Sequence, residues 1–257
     1  MASEFEGKKL VVIGGASGMG FKTAENVIAK GGSAVIVGRP GHKLDDAVAS
    51  LSRSGSAWSI AADLADWDQV VEAQNQLAED HSDATLLVNS AGFFLPKPFV
   101  DYEVAHYDSY HDLNRATFFL TQTVVRGMIA AGQGGAIVNV GSMWAHQALA
   151  VTPSSAYSMA KAGLHALTHN LAIELAGEGI RVNAVAPAVT RTPLFEKVFP
   201  ADQLDGAMEQ LSGLHPLARV GTPQDVASAI VFLLSSASSW TTGAILNVDG
   251  GVMAGRN

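Results

Sequence analysis

The chain has no cysteine among its 257 residues, which excludes disulfides, thiolate nucleophiles and cysteine-ligated metal sites. It has no run of about 20 apolar residues that could span a bilayer, and acids stand at its start in place of a secretory signal. Basic residues are few, because 16 Lys and Arg face 24 Asp and Glu and leave a net charge of −8. Phosphate binding needs a basic face, so nucleic acid is not an expected partner. These absences predict a soluble cytoplasmic protein that acts on a small molecule.

Apolar side chains, by contrast, are plentiful. At 48% hydrophobic and 16% charged residues, the composition is that of a well-buried globular domain. Short apolar runs alternate with segments of helical period, and Gly and Pro fall singly between them. This alternation predicts a three-layer α/β domain with a parallel sheet between helices.

A glycine-rich turn follows the first predicted strand and opens the first predicted helix. The strand is Leu10–Ile13, the turn is residues 14–20, and the helix is residues 21–30. Glycines let a backbone approach a pyrophosphate closely, and a helix N-terminus favours its negative charge. The pattern predicts a nucleotide-binding turn, with a merely tight turn as the alternative. The residues predicted to contact the nucleotide are Gly14, Ser17, Gly18, Met19 and Gly20.

The cofactor preference is predicted from the end of the second strand, Ala34–Val37. Dinucleotide folds that select NAD place an acid about 20 residues after the glycines, where it binds the ribose 2′-hydroxyl. Here Gly38 stands at that point and Arg39 follows it. Because a guanidinium suits a 2′-phosphate, we predict NADP(H) rather than NAD(H). The alternative is that Arg39 stacks on adenine or points to solvent.

Two later strand ends are predicted to contact the same cofactor. Asp63, with Leu64 beside it, is a candidate acceptor for the adenine amino group, a candidate N-cap of the helix that starts near Trp67, or both at once. Small residues follow the fourth predicted strand and leave room for a flat cofactor at the topological switch point. The residues predicted there are Asn89, Ala91 and Gly92.

Tyr157 and Lys161 lie four residues apart in a run of Ala, Ser and Met that favours a helix. At that spacing both side chains share one helix face. The ammonium favours the phenolate, so we expect the pKa of Tyr157 to fall from about 10 toward neutral. Such a tyrosine can give a proton to a carbonyl oxygen or take one from an alcohol. Alone, the pair also suits a tyrosine beside a surface lysine.

No metal site is predicted. His165 and His169 lie four residues apart on the same predicted helix, a spacing that also occurs in metal sites. No acid or third ligand accompanies them, so packing or a subunit contact is the favoured interpretation.

Taken in order, these motifs resemble those of the short-chain dehydrogenase/reductase family over nearly the whole chain. Each motif is weak alone, but the ordered set is specific. The matching features are the turn Gly14/Gly18/Gly20, Asn89-Ser90-Ala91-Gly92, Asn114, Ser142, Tyr157 with Lys161, and Pro187 through Thr192. The resemblance implies a single Rossmann-type domain over 1–257, with a doubly wound seven-stranded parallel sheet in the order 3-2-1-4-5-6-7. It also implies a homotetramer that assembles through the long helices and the C-terminal strand region.

The resemblance implies a role for each catalytic residue. Tyr157 would be the general acid in reduction and the general base in oxidation. Lys161 would lower its pKa and hold the nicotinamide ribose. Ser142 would hydrogen-bond the substrate oxygen, and Asn114 would anchor a water in a proton relay through Lys161.

Further cofactor contacts are implied near the nicotinamide. Thr192 and the backbone at Thr190 would hold the carboxamide, and Pro187 would be a further contact. The chain departs from the family here, because Ala188 replaces the usual glycine. We expect this change to shift the loop that closes over the nicotinamide.

Three other departures leave every catalytic group in place. Ile13 stands where a threonine usually precedes the first glycine, and Ser90 replaces an asparagine. Ser142 lies fifteen residues before Tyr157, two more than is usual in the family. The extra length is expected to bulge in the loop 143–153 and to reshape the substrate pocket.

The leading functional prediction is an NADPH-dependent ketone or aldehyde reductase, reversible as an alcohol dehydrogenase, for a medium-sized apolar or aromatic substrate. A mobile lid is predicted at about 193–215, with a surface helix pair that has no gating role as the alternative. The side chains that suggest the substrate are large and apolar: Trp144, Phe93, Phe94, Leu95, Phe195 and Phe199.

Two other functions stay open. A 3-oxoacyl-[acyl-carrier-protein] reductase would use the same catalytic set, but an acidic carrier needs cations near the entrance, and residues 126–135 offer only Arg126. The alternative from another class is an NADP(H)-binding regulator without turnover. Such proteins generally lose the tyrosine or the lysine, and both are present here.

Overall fold

The computed structural model describes residues 3–150, 152–195 and 200–255. Within them, seven strands form one parallel sheet in the order β3-β2-β1-β4-β5-β6-β7, which confirms the predicted topology. The strands are β1 (Lys9–Ile13), β2 (Ser33–Gly38), β3 (Ala57–Ala61), β4 (Leu86–Asn89), β5 (Gly135–Val140), β6 (Ile180–Pro187) and β7 (Ile245–Val248). The strand order reverses between β1 and β4, which makes that position the topological switch point.

Seven α-helices connect the strands in the part of the chain that is described. They are α1 (Gly18–Ala29), α2 (His42–Leu51), α3 (Trp67–Asp80), α4 (Val104–Ala131), α5 (Ser155–Glu174), α6 (Ala201–Ser212) and α7 (Pro223–Leu234). None of these helices is both long enough and apolar enough to cross a membrane.

The central strands are buried on both faces because helices cover both. Along β1, Leu10 and Val12 enter a core with α1 and α7, whereas Val11 and Ile13 enter a second core with α3, α4 and α5. Near-continuous apolar strands are typical of parallel sheets between two helix layers. The three-layer architecture thus follows from strands whose successive side chains are apolar on both faces.

The start of α3 differs from the sequence expectation. Asp66 caps this helix, since its carboxylate accepts hydrogen bonds from the backbone N–H groups of Asp68 and Gln69. The carboxylate of Asp63 instead accepts from the N–H of Ala65, within the turn that leaves β3. The N-cap interpretation of Asp63 is therefore wrong, because the chain turns for three more residues before the helix begins.

The carboxyl ends of the central strands form one continuous edge. Ile13 pairs with Asn89, and Asn89 pairs with Asn139. Farther along, Val140 at the end of β5 pairs with Val185 of β6. Ligands of open α/β sheets bind outside this edge, at the switch point. The edge therefore locates the candidate site.

Candidate active site

Three polar side chains meet where β5 ends and α5 begins. Ser142 is the second residue after β5, and Tyr157 and Lys161 lie on the first two turns of α5. The Ser142 side chain lies close enough to the Tyr157 hydroxyl to lower the pKa of that phenol. The Lys161 ammonium lies 5.8 Å from the centre of the Tyr157 ring and donates to the Val140 carbonyl over 2.7 Å. A hydroxyl, a phenol and an ammonium therefore share one small volume.

Asn114 approaches the same place from α4. Its side-chain amide donates to the Ala160 carbonyl over 3.1 Å, on the turn of α5 that carries Lys161. Asn114, Tyr157 and Lys161 line one cavity. The structure thus brings together the four residues that the resemblance marks as catalytic.

Burial dominates the protonation of the tyrosine and the lysine. Desolvation raises the pKa of Tyr157 to about 12, against the opposing effect of the hydrogen bond with Ser142. Desolvation also lowers the pKa of Lys161 to about 8. The prediction that Lys161 draws the tyrosine pKa toward neutral is wrong for the protein alone, because burial outweighs an ammonium that bonds to the Val140 carbonyl. The phenol keeps its proton at neutral pH, as a proton donor must.

The glycine turn packs closely against the segment that follows β4. Gly14 has a φ of +83°, and a Cβ there would lie 2.5 Å from the Ala91 backbone. A Cβ at Gly20 would lie 2.7 Å from the Gly14 carbonyl oxygen. Ser17 precedes α1 without a side-chain cap hydrogen bond, so the N–H groups of the first turn are not used by a cap. A close backbone and a helix N-terminus of this kind fit a pyrophosphate.

The segment after β6 meets the glycine turn from the other side. A Cβ at Gly18 would lie 3.4 Å from the Thr192 side chain. Thr190 is buried, and its hydroxyl donates to the Ala188 carbonyl over 3.3 Å. Pro187, the last residue of β6, pairs with Val248 of β7. The segment after Pro187 therefore reaches back across the edge of the sheet to the start of α1.

The remaining predicted cofactor residues lie in different environments. Arg39 is exposed directly after β2, and Met19 and Leu64 pack partly against the core. Gly92 lies beside Lys161, since a Cβ there would be 3.7 Å from Nζ. Asn89 is buried, and its side-chain amide donates to Thr121 and Asn139.

Aromatic side chains surround the Tyr157 ring. The ring centres of Phe94 and Tyr157 lie 4.9 Å apart, and those of Phe94 and Trp144 lie 5.4 Å apart. Phe195 packs against the same apolar cluster. The Trp144 indole donates to the Thr152 hydroxyl over 2.9 Å, which braces the two ends of the loop 143–153 against each other. Within that loop, Val151 lies outside the described residues.

Phe93 and Leu95, also predicted to suggest the substrate, lie outside the cluster that contains Trp144. Phe93 stacks on Tyr110 with ring centres 4.3 Å apart, and it lines the same cavity as Tyr157 and Lys161. Leu95 is 45% exposed, and its N–H donates to the Tyr110 hydroxyl over 3.1 Å. Phe199, the last aromatic residue of the prediction, and Val198 of the predicted lid lie outside the described residues. The predicted lid region, about 193–215, contains α6.

Sequence reasoning missed a turn near the C-terminus. Val252 and Met253 pack against the cluster that contains Trp144. The Asp249 carboxylate holds this turn, because it accepts from the N–H groups of Gly251 and Met253 over 2.9 and 2.8 Å. Asp-Gly-Gly signals a turn in the sequence. These three residues do not indicate that the turn packs against the candidate site.

The two histidines of α5 have separate environments. His165 is buried against Gly141, and burial lowers its pKa to about 4, so it is neutral. His169 is exposed. Across the described ranges, no group of three or more His, Asp or Glu side chains is placed to hold a metal ion.

The chain is similar to known oxidoreductases along nearly its whole length. The family model described as Enoyl-(Acyl carrier protein) reductase matches residues 14–253. Cis-4-hydroxycyclohexanecarboxylate dehydrogenase of Sinomonas cyclohexanicum is 38% identical over 99% of this chain and 100% of its own. A solved short chain dehydrogenase/reductase family protein has a TM-score of 0.86 and 35% identity, with 98% of this chain and 100% of its own covered. L-sorbose reductase of Gluconobacter frateurii, solved with NADPH and L-sorbose, has a TM-score of 0.91 and 28% identity, with both chains fully covered.

Proposed function

The chain belongs to the short-chain dehydrogenase/reductase family of oxidoreductases, and on that premise we propose that it transfers hydride between NADP(H) and a carbonyl or alcohol. The proposed direction is reduction of a medium-sized apolar or aromatic ketone or aldehyde. One observation carries the proposal: the partly buried Tyr157 lies beside both Ser142 and Lys161, within an aromatic cluster.

In the proposed reaction, bound NADPH supplies the hydride that reduces the carbonyl carbon. Tyr157 donates its phenolic proton to the carbonyl oxygen as that oxygen gains negative charge, which yields the neutral alcohol. Ser142 donates a hydrogen bond to the same oxygen, since its Oγ already accepts from the Trp144 N–H over 3.3 Å and its own proton is left to donate. The Lys161 ammonium stabilises the phenolate that remains on Tyr157.

The preference for NADP(H) is supported by Arg39 and by the Gluconobacter enzyme. Arg39 is exposed where the ribose 2′-phosphate would lie, and Gly38 leaves that point without an acid. A guanidinium binds phosphate through paired, charge-assisted hydrogen bonds. The Gluconobacter L-sorbose reductase was solved with NADPH.

We propose that the other predicted cofactor residues divide the dinucleotide between them. The N–H groups at the start of α1 bind the pyrophosphate, with the close backbone at Gly14 and Gly20 making room for it. Lys161 holds the nicotinamide ribose, and Thr192 holds the carboxamide. The 3.4 Å approach of the Gly18 Cβ position to the Thr192 side chain supports this division, because it brings Thr192 next to the turn proposed to bind the pyrophosphate.

An apolar ring is the proposed substrate core, in preference to a sugar. Phe94 and Trp144 offer mainly carbon to a molecule beside Tyr157, and Met253 extends that surface. Each buried sugar hydroxyl would need its own polar partner, since an unpaired one costs about 1–3 kcal/mol. The Sinomonas relative is named for a cyclohexane ring and the Gluconobacter enzyme for a ketose, so the relatives alone do not decide between the two classes.

The test is NADPH oxidation by the purified protein with matched carbonyls: cyclohexanone and acetophenone against L-sorbose. We expect a higher kcat/KM for the ring ketones. Tyr157→Phe keeps the ring and removes the proton, so kcat should fall by about 10²–10⁴-fold while NADPH affinity and Tm stay unchanged. Tyr102→Phe is the matched control, because it removes a buried hydroxyl that has no hydrogen-bond partner among the described residues.

The outcomes separate the parts of the proposal. Binding of NADPH without oxidation by any carbonyl would end the enzyme proposal and favour the regulator. Faster turnover of L-sorbose than of ring ketones would overturn the substrate class and leave the chemistry standing.

A reductase of carrier-linked substrates is the second candidate, and the description of the matching family model is the observation that favours it. An acidic carrier docks on complementary positive charge. Residues 126–135 hold the single cation Arg126, and the net charge of the chain is −8. Faster turnover of a 3-oxoacyl carrier protein than of any free ketone would establish this alternative.

We also propose that the chain forms a homotetramer through two apolar surfaces. On α4 and α5, Phe118 and Met159 are 44% and 55% exposed. Near α7 and β7, Phe232 and Trp240 are 46% and 100% exposed. Large apolar side chains clustered at a surface are typical of interaction sites. Light scattering that reports a monomer at working concentration would refute this assembly.

A further inference from the structure

Asn89, the last residue of β4, has a side-chain oxygen that the protein itself leaves unbonded. The residue is 3% exposed, and its Nδ2 donates to Thr121 Oγ1 over 2.9 Å and to Asn139 Oδ1 over 2.7 Å. Both donors of the amide are thereby used. Its Oδ1 is buried without a hydrogen-bond partner among the described residues. Buried amide oxygens nearly always have a partner, so this one needs an explanation.

The orientation of the amide is fixed by its neighbours. Thr168 Oγ1 donates to the Leu164 carbonyl over 2.9 Å, so it accepts from Asn139 Nδ2 over 2.8 Å. That bond leaves the Asn139 Oδ1 facing Asn89. The Asn89 group opposite this oxygen must therefore be a donor, which is its Nδ2. A half-turn of the Asn89 amide would set two oxygens against each other. The unbonded atom is therefore the oxygen.

A cavity adjoins this amide. Asn89 lines the same cavity as Asn114, Tyr157 and Lys161. The cavity has room for about one water molecule. A buried water needs two to four polar partners. The Asn89 oxygen, the Lys161 ammonium and Asn114 supply that number.

We propose that Asn89 is a positioning residue that holds, through Oδ1, a water between itself and the pair Asn114 and Lys161. This inference rests on the proposed reductase function. After each reduction Tyr157 lacks the proton that it gave to the alcohol, and one proton must return from solvent. We place this water on the path by which the proton returns through Lys161 to Tyr157. Each step on that path breaks one O–H or N–H bond and forms another. The family resemblance places a relay water at Asn114, and Asn89 fixes the second hydrogen bond, which orients the water.

The first test is a high-resolution crystal structure of the full chain with NADPH. We expect an ordered water within hydrogen-bond distance of Asn89 Oδ1, joined directly or through one further water to Lys161 Nζ. A cavity without such a water would overturn the proposal, whatever the behaviour of any variant.

The second test compares Asn89→Ala with the control Thr168→Val. Both break the buried ladder of hydrogen bonds and should lower Tm, but only Asn89→Ala removes the acceptor from the cavity. We expect Asn89→Ala to lower kcat about tenfold, a fraction of the about 10²–10⁴-fold that a positioned proton donor supplies. The solvent deuterium isotope effect on kcat should rise in Asn89→Ala and stay unchanged in Thr168→Val.

Each result of this comparison has one meaning. Equal losses of kcat in the two variants, or an unchanged isotope effect, would show that Asn89 is structural only. If Asn89→Ala fails to fold, the crystallographic water decides the question. Absence of turnover in the wild-type protein would instead refute the proposed reductase function, so the two failures are distinguishable.

Discussion

The two sides of the candidate site are built in different ways. On the glycine side, backbone forms the surface, as in the turn Gly14–Gly20 packed against Ala91. Around the Tyr157 ring, side chains form the surface: Phe94 from the loop after β4, Trp144 from the loop after β5, and Met253 from the C-terminal turn. The shape of the glycine side is set by how closely two backbone segments approach each other. The shape of the aromatic side is set by how side chains from separate loops pack together.

This difference predicts how each side responds to change. A backbone surface has no tolerance for added atoms where two segments nearly touch. A side-chain surface can change shape while the sheet beneath it stays intact, which is how one fold serves many substrates. Substitutions on the glycine side should therefore affect folding and cofactor binding together, and substitutions in the aromatic cluster should affect substrate selection without affecting cofactor binding.

The largest effect is expected for Gly14→Ala. The left-handed φ costs an alanine about 1–2 kcal/mol, and a Cβ placed 2.5 Å from the Ala91 backbone adds an overpacking cost of about 1–3 kcal/mol. We expect a loss of about 3 kcal/mol in the free energy of unfolding and no measurable NADPH binding. Urea denaturation and fluorescence titration measure the two quantities.

Gly132→Ala is the matched control for this substitution. Gly132 also has a left-handed φ, +62°, but nothing lies within 4 Å of a Cβ there. It should lose about 1–2 kcal/mol of stability and keep its NADPH affinity. Equal effects of the two substitutions would show that backbone strain, and not the close approach to Ala91, is what the glycine turn requires.

A smaller effect, confined to one cofactor, is expected for Arg39→Ala. The guanidinium is exposed at the end of β2, so its loss should not change Tm. Loss of a charge-assisted bond worth about 1.5–3 kcal/mol should raise the Kd for NADPH by about 10–100-fold and leave the Kd for NADH unchanged. Equal losses for both cofactors would rule out the proposed contact with the 2′-phosphate.

The same contrast explains how far sequence reasoning reached. The glycine turn could be predicted because local spacing in the chain specifies it, and the strand order followed from the family resemblance. The packing of Phe93 on Tyr110 could not, because it depends on the direction in which a loop leaves β4. Met253 was missed for a related reason, since nothing near it in sequence indicates where the C-terminal turn folds.

The pKa of Tyr157 shows the same limit in electrostatics. The spacing to Lys161 correctly places a cation one helical turn away, 5.8 Å from the ring centre. Burial depends on every element packed around the phenol, and it raises the pKa to about 12 where the sequence alone predicts a lower value. The local sequence pattern therefore predicts which cation lies beside Tyr157. The pKa itself depends on the balance of desolvation and charge, which can be judged only from the complete fold.

The smallest effect is expected for Thr152→Val, and it tests the side-chain half of the comparison most directly. The variant keeps the shape of residue 152 but removes the acceptor that the Trp144 indole uses over 2.9 Å. One neutral hydrogen bond is worth about 1 kcal/mol, so kcat/KM for ring ketones should fall about fivefold. Thr152→Ser, which keeps the hydroxyl, should retain most of the activity. NADPH affinity should not change, and loss of one hydrogen bond should lower Tm by only about 2–4 °C; a coupled loss of cofactor binding would show that the two sides of the site are one unit after all.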